Sequence, residues 1–316
     1  MKNSVQRLAP DREFSVAVPL ARAVEFSAPG RPIAVVAHIF YPDQSSEIEH
    51  YLRNIPFPTD LFISTDTKAK AQKIAQVFKG WNKGKAHLSL TPNRGRDIAP
   101  KLVGYAGVHG RYDYVLHLHS KASTHTPEWW PWRGYLLETL LGSPEIVRSI
   151  FAMFAAVPRL GMVAPDHYEP LSKRVGWGDN FPLASELARR IGFRLYPDHV
   201  RDFPSGSMFW ARSIALHPLL RLKLNYSDFP EEAGQVDGTL AHAVERLFFF
   251  STEYAGLQWL RIAVPGFFHR AETIVGIDDP HEVAALLDAR SAPVPPTVEL
   301  LRALKKRRQA ELPRPL

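Results

Sequence analysis

"RPIAVVAHIFYPDQSSEIEHYLRNI" (residues 31–55) decides how the rest of the chain is read. Ile33 to Phe40 is a continuous apolar, β-branched run, the pattern of a strand buried on both faces of a parallel sheet. Ser45 or Ser46 then stands as an N-cap, with glutamates in the turn that follows, so 45–55 reads as a helix. The alternation continues. "TDLFISTDT" (59–67) reads as a second strand, "KAKAQKIAQVFKGW" (68–81) as an amphipathic helix ended by Gly80, and "AHLSLTPN" (86–93) as a third strand. Strand, helix, strand, helix, strand at this spacing is a βαβαβ unit. It predicts an α/β fold with a mostly parallel, doubly wound sheet flanked by helices. Ligands of such sheets bind beyond the carboxyl ends of the strands. Polar residues gather at those ends here: Tyr41 to Asp43, Ser64 to Asp66, and "NRGRD" (93–97).

Downstream, "IAPKLVGYAG" (98–107) reads as a helix and 112–118 as a fourth strand. "LGSPEIVRSIFAMFAA" (141–156) is a helix with Ser143 as N-cap and Pro144 at its first position. "RLGMVAP" (159–165) and "SGSMFWAR" (205–212) read as strands, with the helix "SELARRIGF" between them. "VDGTLAHAVERLFFF" (236–250) reads as a long helix with Asp237 at its N-terminus. Residues 1–30 form an N-terminal extension in which "FSVAVPL" is a candidate added strand. Residues 31–275 form the main domain. Residues 276–316 form a C-terminal extension: a helix, a Pro-rich link and the basic run "RALKKRRQ" (302–309).

Hydrophobic residues make up 45% and charged residues 22% of the 316, enough apolar material for a large core. Without cysteine the chain has no disulfide, thiolate metal site or cysteine nucleophile. No stretch approaches the roughly 18 apolar residues of a membrane span. "MKNSVQRLAPDREF" lacks the apolar segment of a signal peptide, so a cytoplasmic location is expected. The net charge is +7. Part of it lies in 302–308, which either forms a solvated helix end or rests on anionic lipid at the inner membrane, at about 1 kcal/mol per basic residue. No nucleic-acid motif accompanies the charge, so no nucleic-acid partner is expected.

Four motifs carry candidate chemistry. In "NRGRD", Gly95 allows a tight turn, while Arg94 and Arg96 offer planar forks for phosphate or form surface ion pairs. Asp97 either caps the next helix or faces a ligand. In "HLHSK" (117–121), alternation puts His117 and His119 on one face of the strand. They could pair as metal ligands, with Asp66, Asp166 and His167 completing a hydrolase centre. They could instead bond to backbone, or His119, Ser120 and Lys121 could meet an anionic ligand directly. "STHTPEWWPWRG" (123–134) brings Trp129, Trp130 and Trp132 together, as a sugar-stacking platform or as a hydrophobic cap. In "DFPEEAGQVDGTLAHAVERL" (228–247), Glu231, Glu232 and Asp237 are candidate general bases, although Asp237 is also placed to cap the helix.

Taken in order, "NRGRDIAP", "YDYVLHLHSKAS", "FPSGSMFWAR" and "DFPEEAGQVDGTLAHAVERL" resemble the rhamnan synthesis protein F family of bacterial polysaccharide and lipopolysaccharide biosynthesis. The motif resemblance runs over residues 31–255. It implies a GT-A-like (Rossmann-like) glycosyltransferase, inverting, that moves rhamnose from dTDP-rhamnose to a lipid-linked O-antigen or related glycan acceptor. On that pattern Asp237 is the first choice as base, then Glu232 and Glu231. Asp66, the loop Arg94-Gly95-Arg96-Asp97, His117 and His119-Ser120-Lys121 bind the donor, and Trp129, Trp130 and Trp132 bind the acceptor. Where the fold carries a metal-binding DxD, this chain reads His119-Ser120-Lys121. The departure implies a metal-independent enzyme in which protein cations replace the metal, with Mg or Mn dependence left to experiment. Two rival readings remain: a metal-dependent hydrolase on His117 and His119, and a non-catalytic glycan-binding module.

Overall fold

The computed structural model describes residues 14–21, 28–121, 131–198, 202–267 and 273–291. Among them, nine strands form one sheet: β1 (Ser15–Ala17), β2 (Ile33–His38), β3 (Thr59–Thr65), β4 (Ala86–Leu90), β5 (Tyr114–His119), β6 (Leu160–Pro165), β7 (Phe209–Arg212), β8 (Gln258–Ala263) and β9 (Ile274–Val275). Their order is β4-β3-β2-β5-β7-β6-β8-β1-β9. Every pairing is parallel except those of β7, which runs antiparallel to β5 and β6. The expected α/β fold with a mostly parallel sheet is therefore the fold found.

Eight helices flank it among the described residues: α1 (Ser45–Leu52), α2 (Lys68–Phe78), α3 (Trp132–Leu141), α4 (Pro144–Ala156), α5 (Phe181–Ile191), α6 (His217–Leu220), α7 (Leu240–Tyr254) and α8 (Glu282–Ser291). Alternation along β2 builds the two layers. Val35 and Ala37 pack with Ile48 of α1, Ile74 of α2 and Ile146 of α4. Ala34 and Val36 pack on the other face with Ala184 of α5 and Val244 of α7. All six residues of β2 are buried, as its unbroken apolar run requires.

Local chemistry sets the helix starts. The Ser143 hydroxyl accepts the Ile146 N–H at 3.3 Å, with Pro144 next in line as the sequence predicts. For α1, neither Ser45 nor Ser46 caps: a short turn over Pro42–Gln44 leads in, and Gln44 takes the cap position. For α7, Thr239 is the N-cap, in a reciprocal box with His242, so Asp237 lies before the helix rather than at its start. The helix expected over 98–107 is reduced to a wide turn, Pro100–Gly104, and a tight one, Ala106–Val108. The wide turn is closed by the Tyr105 N–H, which donates to the Pro100 carbonyl oxygen at 3.1 Å.

The boundaries drawn at residues 30 and 275 do not coincide with any break in the core. β1 lies between β8 and β9. Phe14 and Val16 share an apolar cluster with Val283, Leu286 and Leu287 of α8 and with Leu116 and Leu118 of β5. No helix among the described residues is long and apolar enough to cross a membrane. The basic run at 302–308 lies outside the described residues.

His117 and His119 do share a face of β5, as alternation predicts, but they do different things. His117 is fully buried against Phe209, with ring centroids 4.8 Å apart. Its Nε2 lies 3.0 Å from Nε2 of His109, whose Nδ1 is 3.3 Å from the Ala106 carbonyl oxygen. One consistent assignment has His109 donate to Ala106 and accept from His117, leaving both rings neutral. Burial pushes His109 down to about 4 and His117 well below the ordinary imidazole range. His117, expected at the donor site, is thus two residues too deep along the strand and is bonded to another histidine.

Two outcomes follow. Leu286→Ala should lower the unfolding free energy by about 2–5 kcal/mol and shift the main transition in a denaturant melt. A separable 276–316 segment would leave that transition in place. Second, the folded chain keeps His109 and His117 neutral below pH 6.5, where the unfolded chain binds protons. Their contribution is complete above that pH and declines as pH falls toward 4, by up to about 1.4 kcal/mol per pH unit for each histidine. Urea midpoints at about pH 7.5 and about pH 5 test this, the lower pH giving the lower midpoint; equal midpoints would show that the pair is charged when folded.

Candidate functional site

A cavity of about 630 Å³ opens at the carboxyl ends of β2 and β5, within the range of small-molecule sites. His38 and His119, in register across those two strands, both line it. Nδ1 of His38 lies 3.0 Å from Ser64 Oγ, and burial lowers its pKa to about 4. His119 meets the Gly206 carbonyl oxygen through Nε2 at 2.7 Å and the Ser120 carbonyl oxygen through Nδ1 at 3.1 Å. A neutral ring donates only once, and the shorter contact takes the proton. Burial lowers His119 to about 4, so it brings shape rather than charge. The Ser120 hydroxyl accepts the Tyr41 N–H at 2.9 Å and pins the loop after β2.

Beneath these lies a buried ion pair. Lys101 Nζ donates to Asp97 Oδ2 at 2.8 Å and to the Ser207 carbonyl oxygen at 2.9 Å. Burial works against the Asp97 anion, but His119, charged only at the low pH where this carboxyl would take up a proton, and Lys101 outweigh it and hold the carboxyl well below its usual range. Burial also lowers Lys101, against the pull of Asp97. Asp97 therefore lines the cavity while holding a buried cation behind it rather than capping a helix. The sequence reading passed over Lys101, although the i,i+4 spacing in "RDIAPK" is a usable signal.

The three cations expected to meet a donor separate. Arg94 turns away: it binds Glu231 at 2.6 Å and the Phe229 carbonyl oxygen at 2.9 Å, and does not line the cavity. Gly95 has φ +68°, and a Cβ there would fall 2.5 Å from Phe229, so the turn requires glycine. Arg96 lines the cavity while its backbone N–H donates to Glu232 at 3.0 Å and its guanidinium to the Gln235 carbonyl. Lys121 lines it too, its ammonium 3.8 Å from the centroid of Trp132. Among the described residues no carboxylate lies within ion-pair distance of that ammonium. Burial lowers its pKa.

The carboxylates separate in the same way. Glu231 is engaged with Arg94 and lies outside the cavity, and Glu232 lines it but braces Arg96. Asp237 lines the cavity, its Oδ1 accepting from Asn180 Nδ2 at 2.6 Å and its Oδ2 from the Asp179 N–H at 3.2 Å. Burial opposes ionisation, but these donors and Arg246, 3.8 Å away, keep its pKa lowered. Gly178, with φ +52°, leaves room for it: a Cβ there would sit 2.2 Å from Oδ2. Glu245 also lines the cavity and accepts from the Gly206 N–H at 3.0 Å and Ser207 Oγ at 3.1 Å. Asp66, expected to bind the donor, pairs with Lys70 at 2.7 Å and does not line the cavity.

A divalent cation does not fit the residues at the end of β5. An ammonium stands where an anionic ligand would be needed, and both ring nitrogens of His119 face carbonyl oxygens. The further ligands of the hydrolase reading are dispersed: Asp66 on Lys70, Asp166 on Arg261, His167 on Asp202. Among the described residues no three His, Asp or Glu side chains group as a metal site. Trp132 lines the cavity under Lys121 rather than as an open sugar platform, while Trp129 and Trp130 lie outside the described residues.

The sequence matches the family described as rhamnan synthesis protein F over residues 1–256. The match includes the first thirty residues, which the motif resemblance had left out. The protein WxcX of two strains of Xanthomonas campestris pv. campestris is 37% identical over 238 residues, covering 74% of this chain. The chain spans 33% of the length of these relatives. Among solved structures, apo mouse xyloside xylosyltransferase 1 aligns over 78% of this chain and 85% of its own, at 11% identity and a TM-score of 0.32. This chain belongs to the rhamnan synthesis protein F family.

Proposed function

We propose that the protein is an inverting glycosyltransferase of GT-A-like fold that moves a sugar from a nucleotide-sugar donor to a glycan acceptor. The observation that carries this reading is the pairing, in one cavity, of a cation without a described carboxylate partner, Lys121, with a carboxylate held ionised, Asp237. Family membership supports polysaccharide synthesis as the setting. We take dTDP-rhamnose as the donor and a lipid-linked glycan as the acceptor, met at the cytoplasmic face of the inner membrane with the basic run 302–308 against anionic lipid.

In the proposed reaction an acceptor hydroxyl oxygen attacks the anomeric carbon as the bond from that carbon to the diphosphate oxygen breaks. The hydroxyl proton passes to Asp237. The lowered pKa makes Asp237 a weak base for a resting alcohol, but the hydroxyl becomes acidic as its oxygen bonds to carbon, and the carboxylate is ionised and aimed. The departing nucleotide diphosphate meets Lys121, with Arg96 beside it. His119 stays neutral and keeps the turn at Gly206 in place. No step calls for a divalent cation.

A thermal-shift panel of nucleotide sugars tests the reading. A donor at a hundredfold excess over Kd stabilises the native state by about 2.7 kcal/mol, and the shift should be the same with EDTA as with Mn²⁺. A shift that needs Mn²⁺ would overturn the role given to Lys121. Asp237→Asn should lower kcat by roughly 10²–10⁴-fold while the donor still shifts the melt; unchanged turnover would remove Asp237 as the base. Lys121→Ala should weaken donor binding by about 1.5–3 kcal/mol, seen as a raised Kd in titration calorimetry, and Lys121→Arg should recover part of it.

A further inference from the structure

The turn before β7 holds a constellation that sugar transfer from Asp237 and Lys121 does not use. Ser205 lines the cavity, and its Oγ lies 3.0 Å from His167 Nδ1. On the other side of that ring, Nε2 lies 3.1 Å from Asp202 Oδ1. All three side chains are buried, with Ser205 and Asp202 8% and His167 7% exposed. Asp202 Oδ2 lies 3.6 Å from Arg261 Nε, and Arg261 donates in turn to Asp166 at 3.0 Å. Burial opposes the Asp202 anion, but Arg261 and His167 outweigh it and hold its pKa at about 2.

The contact with Asp202 sets the tautomer of the neutral ring. An ionised carboxylate only accepts, so Nε2 of His167 carries the proton and donates to Asp202. Nδ1 is then bare and accepts the Ser205 hydroxyl. The ring is used in the opposite sense to the serine hydrolase triad, but the roles are the same: one nitrogen accepts while the other is held by a carboxylate. The backbone supplies a further element. Gly206 (φ +88°) and Ser207 (φ +53°) turn sharply, and the Gly206 N–H and Ser207 O–H converge on one anionic oxygen, Oε1 of Glu245. Two donors aimed at one oxyanion, immediately after a polarised serine, form the kind of cradle that stabilises the tetrahedral state of acyl transfer.

We propose that Ser205 is an activated nucleophile, with His167 as its base and Asp202 holding His167, and that it accepts acyl groups from carboxylic esters admitted to the cavity. Ser205 Oγ bonds to the acyl carbon as its proton moves to Nδ1. The ester C–O bond breaks, and the proton passes from Nδ1 to the leaving alcohol oxygen. Water then hydrolyses the acyl-serine, releasing the acid and restoring the hydroxyl. The carbonyl oxygen must displace Glu245 from its two donors, so ester turnover is slow while Ser205 itself remains reactive.

A phosphonofluoridate probe reads that reactivity directly. Oγ attacks phosphorus, the P–F bond breaks, fluoride leaves and the proton goes to His167. Incubation of the full chain with the probe, followed by intact mass and peptide mapping, should give one adduct on Ser205. Heat-denatured chain should give none, and Ser205→Ala should remove the adduct. His167→Gln should slow labelling by on the order of 100-fold, and wild-type mapping with the denatured control decides the matter if that variant does not fold. An unlabelled native chain, an adduct on another residue, equal labelling of denatured chain, or an unchanged rate in folded His167→Gln would each overturn the assignment.

Discussion

Lys101 exposes no surface, yet its ammonium lies 2.8 Å from Asp97 and 2.9 Å from the Ser207 carbonyl oxygen. A buried cation is tolerable only when an anion and hydrogen bonds replace its water, and removing one partner of such a pair typically costs about 3–5 kcal/mol. The pair therefore ties two distant pieces of chain, the turn after β4 and the turn before β7. From the opposite side Glu245 of α7 holds the same Gly206–Ser207 turn, and His119 donates to its carbonyl from the end of β5. Three elements thus converge on one short turn. This part of the cavity wall has its shape because the Lys101 charge and the polar groups of the turn each need a partner.

That convergence explains which parts of the molecule the sequence reveals. The sheet is legible because its cause is local: the unbroken run of β2 and the spacing of the elements after it leave few alternatives. β7 is readable as a strand, but its antiparallel direction depends on where the chain returns after α5, which no period of two encodes. Helix starts are legible where a cap is strong, as at Ser143, and misread where a competing turn intervenes, as at Gln44 and Thr239. The site divides along the same line. His119, Ser120, Lys121, Arg96 and Asp237 stand at strand ends or helix approaches, and the structure brings them to one cavity. His117, Arg94, Glu231 and Asp66 satisfy the same sequence criteria but find closer partners in His109, Glu231, Arg94 and Lys70. A partner 137 positions away along the chain, as Glu231 is from Arg94, cannot be seen in a window of twenty residues.

Lys121 differs from its basic neighbours in the partner that holds it. The guanidinium of Arg96 is engaged with Glu232 and the Gln235 carbonyl, Arg246 with Glu245 and Asp237, and Lys101 with Asp97. Each brings positive charge that an adjacent carboxylate or carbonyl already answers. Lys121 is held by the π-face of Trp132, whose attraction for a cation is about 0.5–2 kcal/mol, well short of neutralising it. Its own backbone is fixed by Gln44 and Arg133, so the ammonium is positioned without being matched. A cation in that condition gains from any anion that arrives, whereas a paired arginine must first release its carboxylate. The same reasoning separates the carboxylates. Glu231 answers Arg94 and Glu232 braces Arg96, while Asp237 is aimed by an amide and a backbone N–H, with Arg246 at 3.8 Å already bonded to Glu245. Among the described residues the cavity thus presents a cation with no carboxylate within ion-pair distance and a carboxylate whose neighbouring arginine, 3.8 Å away, is shared with Glu245, the distribution that the proposed transfer calls for.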